Sequence, residues 1–330
     1  MKTKILYRVA TLAAFSGILF MACNKSNSSA GTDSASDMQV QSDDETRFSN
    51  ESDAVSDDVN TAMSFNGSVS GAGAAVNPGY GQGVAIDGIP HTDTPNPICD
   101  ATIAVDSSAN PRTITITYSG NNCNVTRTRT GVVVISIPQG VHWADKGAQV
   151  TVTITNLKIT RLADQKSITL NGTHVYTNVS GGSLANIVAL GSITHTVTSS
   201  NMSVTFDNGA QRTWQLARQR VYAYANSTLT VTETGMHTDG TTSGISEWGT
   251  NRFGNSFETV ITTPLVISSG CGFKLVSGAA ELIRTNVTIT VTFGLDSTGN
   301  STSCPVSGSY YFKLVWEGAG GKTYTFILPY

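Results

Sequence analysis

Residues that could bind a ligand directly are concentrated in the segment 212–224. In a regular strand its even-numbered positions share one face, and these are Arg212, Trp214, Leu216, Arg218, Arg220, Tyr222 and Tyr224. Guanidinium groups and aromatic rings bind sugars and anionic glycans by bidentate hydrogen bonding and stacking. All of these residues except Leu216 form a candidate glycan-binding face. Such a face more often packs on a neighbouring sheet, with its arginines paired to acids across the strands.

Catalytic and metal chemistry find little support in the remaining residues. The five histidines lack metal-ligand spacing, and His174 and His195 lie in predicted strands, where a histidine is usually structural. The segment 244–248 matches only half of a nucleophile elbow and lacks its strand-to-helix context. No phosphate-binding glycine loop precedes a helix. We therefore predict a protein that is not an enzyme and uses no metal and no cofactor.

Four cysteines form an even set: Cys99, Cys123, Cys271 and Cys304. In an exported protein such a set predicts disulfides, with three pairings open. Each half of the chain has a cysteine, a threonine-rich strand (113–118 or 288–293) and a second cysteine. This echo favours Cys99–Cys123 and Cys271–Cys304, although threonine-rich strands can also resemble each other by chance. A four-cysteine zinc site is disfavoured because no CxxC spacing is present.

The fifth cysteine, Cys23, follows a basic start and an apolar run from Val9 to Met21, which is typical of a secretory signal. The run is too short to span a membrane. The segment 19–23 resembles the lipobox of bacterial lipoproteins. That resemblance implies a signal peptide over 1–22, cleavage before Cys23, and a diacylglycerol on its sulfur as a lipid anchor. An ordinary secretory signal with an incidental cysteine is the alternative.

Charge is distributed unevenly along the chain. Residues 24–97 carry eleven acidic and two basic residues (net −9), whereas residues 98–330 carry 12 acidic and 15 basic residues (net +3). Neither part has the dense positive charge of a nucleic-acid binder. We interpret 23–97 as the lipidated cysteine followed by an acidic, low-complexity, flexible tether that holds the body about 40–50 Å from the membrane. A short amphipathic helix over 44–63 is the competing interpretation, with Phe48, Val55, Val59, Ala62 and Met63 at a helical period.

Residues 98–330 have the pattern of a β-rich body. Thr113–Tyr118 alternates polar and apolar residues, and Val132–Ile137 is continuously apolar and β-branched. The apolar phase slips after Ile154, which predicts a bulge near Asn156. Eleven further strand candidates follow, with no helical period between them. We predict an all-β fold, either a large antiparallel β-sandwich or a curved β-meander, made of what could be two related halves.

Six different short motifs follow one another along this body, at 129–135, 147–160, 171–178, 249–254, 261–265 and 321–324. Their order resembles an uncharacterised family of β-rich outer-membrane lipoproteins from Bacteroidetes bacteria. Where that family has an Asp-aromatic-Gly turn, this chain has Tyr118-Ser-Gly120 and Phe293-Gly294, so a role of that aspartate does not carry over. The resemblance implies a β-rich fold at the outer membrane and supplies no activity.

Together these patterns predict a lipid-anchored outer-membrane protein with a non-catalytic binding or envelope-structural role. Its expected partners are the membrane through Cys23 and either a glycan or an envelope protein, with no nucleic acid. A glycan-binding accessory lipoprotein is the first alternative. A polymer-degrading hydrolase is the second and less favoured one, because no catalytic set is assembled in the sequence.

Overall fold

The computed structural model of the chain describes residues 35–65, 69, 98–123, 125–284, 287–304, 310–317 and 321–329. The predicted all-β fold is confirmed: within these residues, fifteen antiparallel strands form one sheet, and a long helix lies against it. Of the two predicted architectures, the curved β-meander is the one that matches the observed strand order. The signal segment 1–22 and Cys23 lie outside the described residues.

The helices are α1 (Ala35–Phe65) and the single-turn α2 (Ile187–Leu190), with 3₁₀ turns at Leu184–Asn186 and Ser269–Cys271. The strands are β1 (Ala101–Asp106), β2 (Arg112–Asn121), β3 (Arg127–Ile137), β4 (Ala148–Arg161), β5 (Ser167–Asn178), β6 (Ser192–Phe206), β7 (Gln211–Ala225), β8 (Thr228–Gly235), β9 (His237–Asp239), β10 (Thr242–Thr250), β11 (Ser256–Ser268), β12 (Lys274–Arg284), β13 (Val287–Leu295), β14 (Tyr311–Glu317) and β15 (Thr323–Pro329).

Strands that are consecutive in the sequence pair from β1 to β7 and again from β10 to β15. Between these runs, the second half of β7 pairs with β8 and its first half pairs with β10. Strand β8 also pairs with β11, and β9 pairs with β10. The sheet therefore continues through both cysteine units as one surface.

Pairs of a bulge and a facing glycine bend this sheet. Asn156 has φ 50°, and the register of β4 with β5 shifts beside it, which confirms the predicted bulge. On β3, Gly131 has φ 132°, and a Cβ there would lie 2.5 Å from the carbonyl oxygen of Asn156. Gly172 stands in the same relation to Asn201. Because bulges add twist and glycine permits the close approach, these pairs curl the sheet.

Helix α1 packs on one face of the sheet, which we call the inner face. Its residues Phe48, Val55, Val59, Ala62 and Met63 are each at most 3% exposed, so the predicted apolar stripe is confirmed. The interpretation of this segment as a flexible tether needs correction over residues 35–65, which form part of the core. The helix is also longer than the predicted 44–63. An apolar stripe that covers a sheet face is stabilised by burial, and this offsets the entropy of ordering the segment.

The helix runs along the sheet from one end to the other. Its first turns meet the β4–β5 turn, where Asp43 pairs with Arg161 at 2.7 Å. Towards its end, Asn60 donates to the hydroxyl of Tyr222 on the far half of β7, at 3.4 Å. We call the end of the sheet that holds the β4–β5 turn the proximal end, and the opposite one the distal end.

Both predicted disulfides are confirmed. Cys99–Cys123, with a Cα–Cα distance of 5.3 Å, joins the start of β1 to the end of β2 at the proximal end. Cys271–Cys304, with a Cα–Cα distance of 5.2 Å, lies at the distal end. In the chain-entropy model, closing loops of these lengths stabilises the fold by about 3.5 kcal/mol each. The two bridges thus fix opposite ends of the sheet.

Candidate functional site

The predicted glycan-binding face lies on β7 and points at helix α1. Trp214, Arg218, Arg220 and Tyr222 are at most 5% exposed, and the flanking Arg212 and Tyr224 are half-buried. The glycan-binding hypothesis, which requires these β7 residues to be open to solvent, is therefore wrong, and the competing interpretation of a packed face with its arginines paired to acids is confirmed. Its aromatic and guanidinium groups contact the chain's own helix and neighbouring strands, so a glycan has no access to them in this fold.

Aromatic packing forms the centre of the contact between α1 and the sheet. The ring of Phe48 stacks on Trp214 with centroids 4.6 Å apart, and Phe257 packs on the same indole at 4.4 Å. The indole Nε1 of Trp214 donates to Oε2 of Glu247 at 2.8 Å. Trp214 thus fills the interface and satisfies its single donor on a buried carboxylate.

Two arginines of β7 hold the middle of the helix. The guanidinium of Arg218 lies 2.7 Å from Oδ1 of Asp53 and also pairs with Glu247. Arg220 pairs with the same Asp53 carboxylate and, through Nε, with Oε2 of Glu233 at 2.8 Å. Carboxylates from the helix and from the sheet therefore share two buried cations, which is an arrangement that makes the charges mutually dependent.

The pKa values of these carboxyls follow their surroundings. Burial raises the pKa of Asp53, against the opposing pull of Arg220 and Arg218. Burial likewise raises the pKa of Asp57 well above its ordinary value, although Arg220 lies 3.4 Å away. Burial acts in the same direction on Glu233, but Arg218 and Arg220 outweigh it and lower that pKa. The sheet carboxylate is thus held charged, while the helix carboxyls bind protons more readily.

A third buried cation, Arg129 on β3, holds the helix nearer its end. Its guanidinium lies 2.7 Å from Oδ2 of Asp58 on the helix and 2.6 Å from Oδ1 of Asp100. It also lies over the ring of Tyr118, 4.4 Å from the centroid. The Tyr118 hydroxyl donates to Asp58 at 2.8 Å. Burial raises the pKa of Asp58, and the positive charge of the neighbouring Arg129 partly offsets that rise.

The remaining acidic residues of α1 pair with cations towards the proximal end. Besides the Asp43–Arg161 pair, the contacts are Asp44–Arg252 at 2.6 Å, Glu45–Arg284 at 3.8 Å and Glu51–Arg127 at 3.3 Å. Burial raises the pKa of Glu45 to about 7. All seven acidic side chains described in α1 therefore pair with arginines of the β-rich body, six on strands and Arg252 in the β10–β11 turn. These partners are seven of the nine arginines in residues 98–330.

Two buried histidines lie beside this network. His174 is 3.4 Å from the hydroxyl of Tyr176, and His195 contacts the rings of Trp143 and Tyr222. Burial lowers the pKa of His174 to about 4 and that of His195 to about 3, with the nearby arginines acting in the same direction. Both are therefore neutral at pH 7. The cavity beside His195 measures about 10 Å³, which is the room of one water molecule.

Sequence reasoning missed the partner of the β7 stripe. It identified the stripe and, separately, the acidic segment with its amphipathic period, but it assigned the acids to solvent. The available signal was the opposite net charge of 24–97 and 98–330. Charge complementarity between two parts of one chain predicts attraction, although it does not give the register of the pairs.

Comparison of the chain with protein-family models, with curated proteins and with solved structures gives no match. Across the described part of the chain, no three or more His, Cys, Asp or Glu side chains are arranged to hold a metal ion. The described helices include none that is long and apolar enough to cross a membrane.

Proposed function

We propose that this chain is a lipid-anchored outer-membrane protein with a non-catalytic, envelope-structural or binding role. The observation that carries the proposal is the packing of α1 on the inner face of the sheet, where its seven described acidic side chains pair with seven arginines. If Cys23 carries the lipid, eleven residues separate it from Ala35, the start of α1. The anchor is then joined to the core of the fold, and the body stays close to the membrane surface.

The charge network supports a structural role for the inner face. Arg129, Arg218 and Arg220 are almost fully buried, and each contacts at least two carboxylates. Removing one partner of a buried pair costs about 3–5 kcal/mol, because the other charge is left uncompensated. These three arginines therefore hold the helix on the sheet. The motifs that resemble the Bacteroidetes lipoproteins support the outer-membrane location.

The anchor is tested by expressing the full chain in a Gram-negative bacterium supplied with an alkyne analogue of palmitate. We expect label on the mature protein and its recovery with the outer-membrane fraction. A Cys23→Ser variant should carry no label. The matched control is the Cys99→Ser/Cys123→Ser variant, which loses two other cysteines, those of the proximal disulfide, but keeps Cys23, and it should retain the label. Label on the Cys23→Ser variant, or none on the wild type, would reject the lipid anchor.

A further inference from the structure

The inner face of the sheet continues past the helix on β12–β15. On β12, Arg284 points at Glu45 of the helix, and Leu282, two residues before it, shares that face. Residues that pair across neighbouring strands lie on the same face of a sheet. Leu282 pairs with Ile289, Ile289 with Trp316, and Trp316 with Tyr324, so all four lie on the inner face. These strands therefore extend the surface that α1 covers elsewhere.

This extension is apolar on its inner side and polar on the other. Leu282, Ile289 and Val291 are buried, and Phe293, Phe312, Leu314 and Trp316 pack on them. On β15 the inner side chains Tyr324, Phe326 and Leu328 are 37%, 47% and 42% exposed. Trp316 stacks between the rings of Tyr324 and Phe326, with centroids 5.4 and 5.2 Å away. The opposite side of β13 and β15 presents threonines, including Thr288, Thr290, Thr323 and Thr325.

We propose that this inner face of β14 and β15 rests on the lipid surface into which Cys23 is anchored. We call it the β15 patch, formed by Trp316, Tyr324, Phe326 and Leu328. The inference deepens the proposed function and depends on it for the location of the anchor. An exposed apolar patch of this kind marks a site of contact with a membrane or a partner.

The position of the anchor favours a membrane over other occupants. Asp43 meets the proximal end, and Ala35 lies eight residues earlier in α1, which places the helix start about 12 Å beyond that end. Trp316 and Tyr324 flank the β14–β15 turn, which lies at the same end. Strand β15 is three strands from β12, a lateral distance of about 14 Å. The chain from Cys23 to Ala35 can span at most about 40 Å, so the anchoring surface is within reach of the patch.

The residue types of the patch match the chemistry of a bilayer interface. Tryptophan and tyrosine are enriched at the level of the lipid headgroups, where an apolar ring and a polar atom are both accommodated. Lys322, which precedes β15, places its ammonium 5.4 Å from the ring centroid of Tyr324 and is exposed. A lysine beside interfacial aromatic residues can contact anionic headgroups while its stem lies on the rings.

The test uses the mature chain from residue 24 onward, which contains every described residue and carries no acyl group. Vesicles of phosphatidylethanolamine and phosphatidylglycerol (3:1) are sedimented with the protein. We expect binding by the parent chain and about tenfold weaker partitioning by a Tyr324→Ser/Phe326→Ser variant. The matched control is Val188→Ser/Leu190→Ser, which removes two exposed apolar side chains (59% and 49%) from α2 at the distal end. That control should bind within twofold of the parent.

Quenching of Trp316 fluorescence by brominated lipids, read as the difference from a Trp316→Phe variant, should accompany binding. Absence of vesicle binding, or an equal loss in the distal control, would overturn the proposal. So would a dimer of the parent in sedimentation analysis that the β15 variant dissociates, because a second copy would then cover the patch. Since this chain has no lipid, a negative result leaves the labelling of Cys23 unaffected, and failed labelling leaves the vesicle result standing.

Discussion

The inner face of the sheet differs between two parts of the molecule, both in its side chains and in what covers it. From β1 to β11 the face carries arginines and aromatic residues, and helix α1 covers it with apolar side chains and matching carboxylates. From β13 to β15 the face is apolar without inward charge, and its outermost strand is exposed. A sheet face needs a second layer to bury it. The first part obtains that layer from its own chain, and we propose that the second obtains it from the membrane.

The kind of side chain on each part indicates which kind of cover it takes. Buried arginines require specific carboxylates at defined positions, and a helix supplies them with fixed spacing. An aromatic and aliphatic face requires no particular partner geometry, because burial of apolar surface is non-directional. The helix-covered part should therefore depend strongly on individual residues, whereas the β15 patch should not.

Removing α1 should produce the largest effect. A chain that begins at residue 66 leaves Trp214 and the apolar inner face without their cover. The lost burial of Phe48, Val55, Val59 and Met63, at about 1.5–3 kcal/mol each, is comparable to the usual 5–15 kcal/mol of total stability. We expect loss of near-ultraviolet circular dichroism and of a cooperative thermal transition. Adding a peptide of residues 35–65 should restore both signals.

The control for this complementation is the same peptide with Asp53→Lys and Asp58→Lys, which retains the apolar stripe but reverses two charges. It should fail to restore folding. If the chain from residue 66 melts at the same temperature as the full protein, the helix is not an integral layer of the fold.

A single buried cation should come next. Arg129→Ala leaves Asp58 and Asp100 buried without their partner, and we expect a loss of about 3–5 kcal/mol in the free energy of unfolding. Lys322→Ala, beside the β15 patch, removes an exposed cation and should leave urea denaturation unchanged within error. Similar losses in both variants would contradict the assignment of specific charge pairing to the helix-covered part alone.

Much of this fold could be predicted from the sequence because strand alternation and turn residues are local signals. The bulge near Asn156 and the pairing of Cys99 with Cys123 follow from such patterns. The extent of α1 and its role as the layer that covers the β7 residues 212–224 could not be predicted. An alternating strand with Arg218 and Trp214 on one face has the same pattern whether that face meets solvent or a helix from 165 residues earlier in the chain. The deciding contact is long-range, and local periodicity does not encode it.

One aromatic ring can be removed from each part, Phe48 from the helix-covered part and Phe326 from the β15 patch. Phe48→Ala empties space against Trp214 in a fully buried site, and we expect a loss of about 3 kcal/mol or slightly more. Phe326→Ala removes a ring that is 47% exposed, and the loss should stay under about 1 kcal/mol. Both values come from urea denaturation followed by tryptophan fluorescence. A larger loss for Phe326→Ala would place β15 in the core.

A change in pH also distinguishes the two parts, because their histidine content differs. His174 and His195 lie beside the helix, whereas β12–β15 contain no histidine. Because burial lowers the pKa of both histidines in the folded state, to about 4 and about 3, their contribution to stability is present above pH 6.5 and is lost as the pH falls. By pH 5 the loss is about 2 kcal/mol for each. Glu45 acts in the opposite direction: its raised pKa of about 7 adds stability at low pH that is lost as the pH rises through 7.

The contribution of His195 is isolated by comparing the unfolding free energy of two chains in a Glu45→Gln background, with and without His195→Phe. The raised pKa values of Asp53, Asp57 and Asp58 then affect both chains alike. In that background, His195→Phe keeps an aromatic ring against Trp143 and Tyr222 and should reduce the loss of stability between pH 7.5 and 5 by about 2 kcal/mol. In the Glu45→Gln chain, amide hydrogen exchange in β5 and β6 should accelerate as the pH falls from 7.5 to 5, after correction for intrinsic rates. The amides of β14 and β15 should change little, because they exchange by local opening that leaves the histidines buried. An unchanged acid loss in His195→Phe would contradict the role of this histidine, and equal acceleration in β15 would show that the two parts open as one unit.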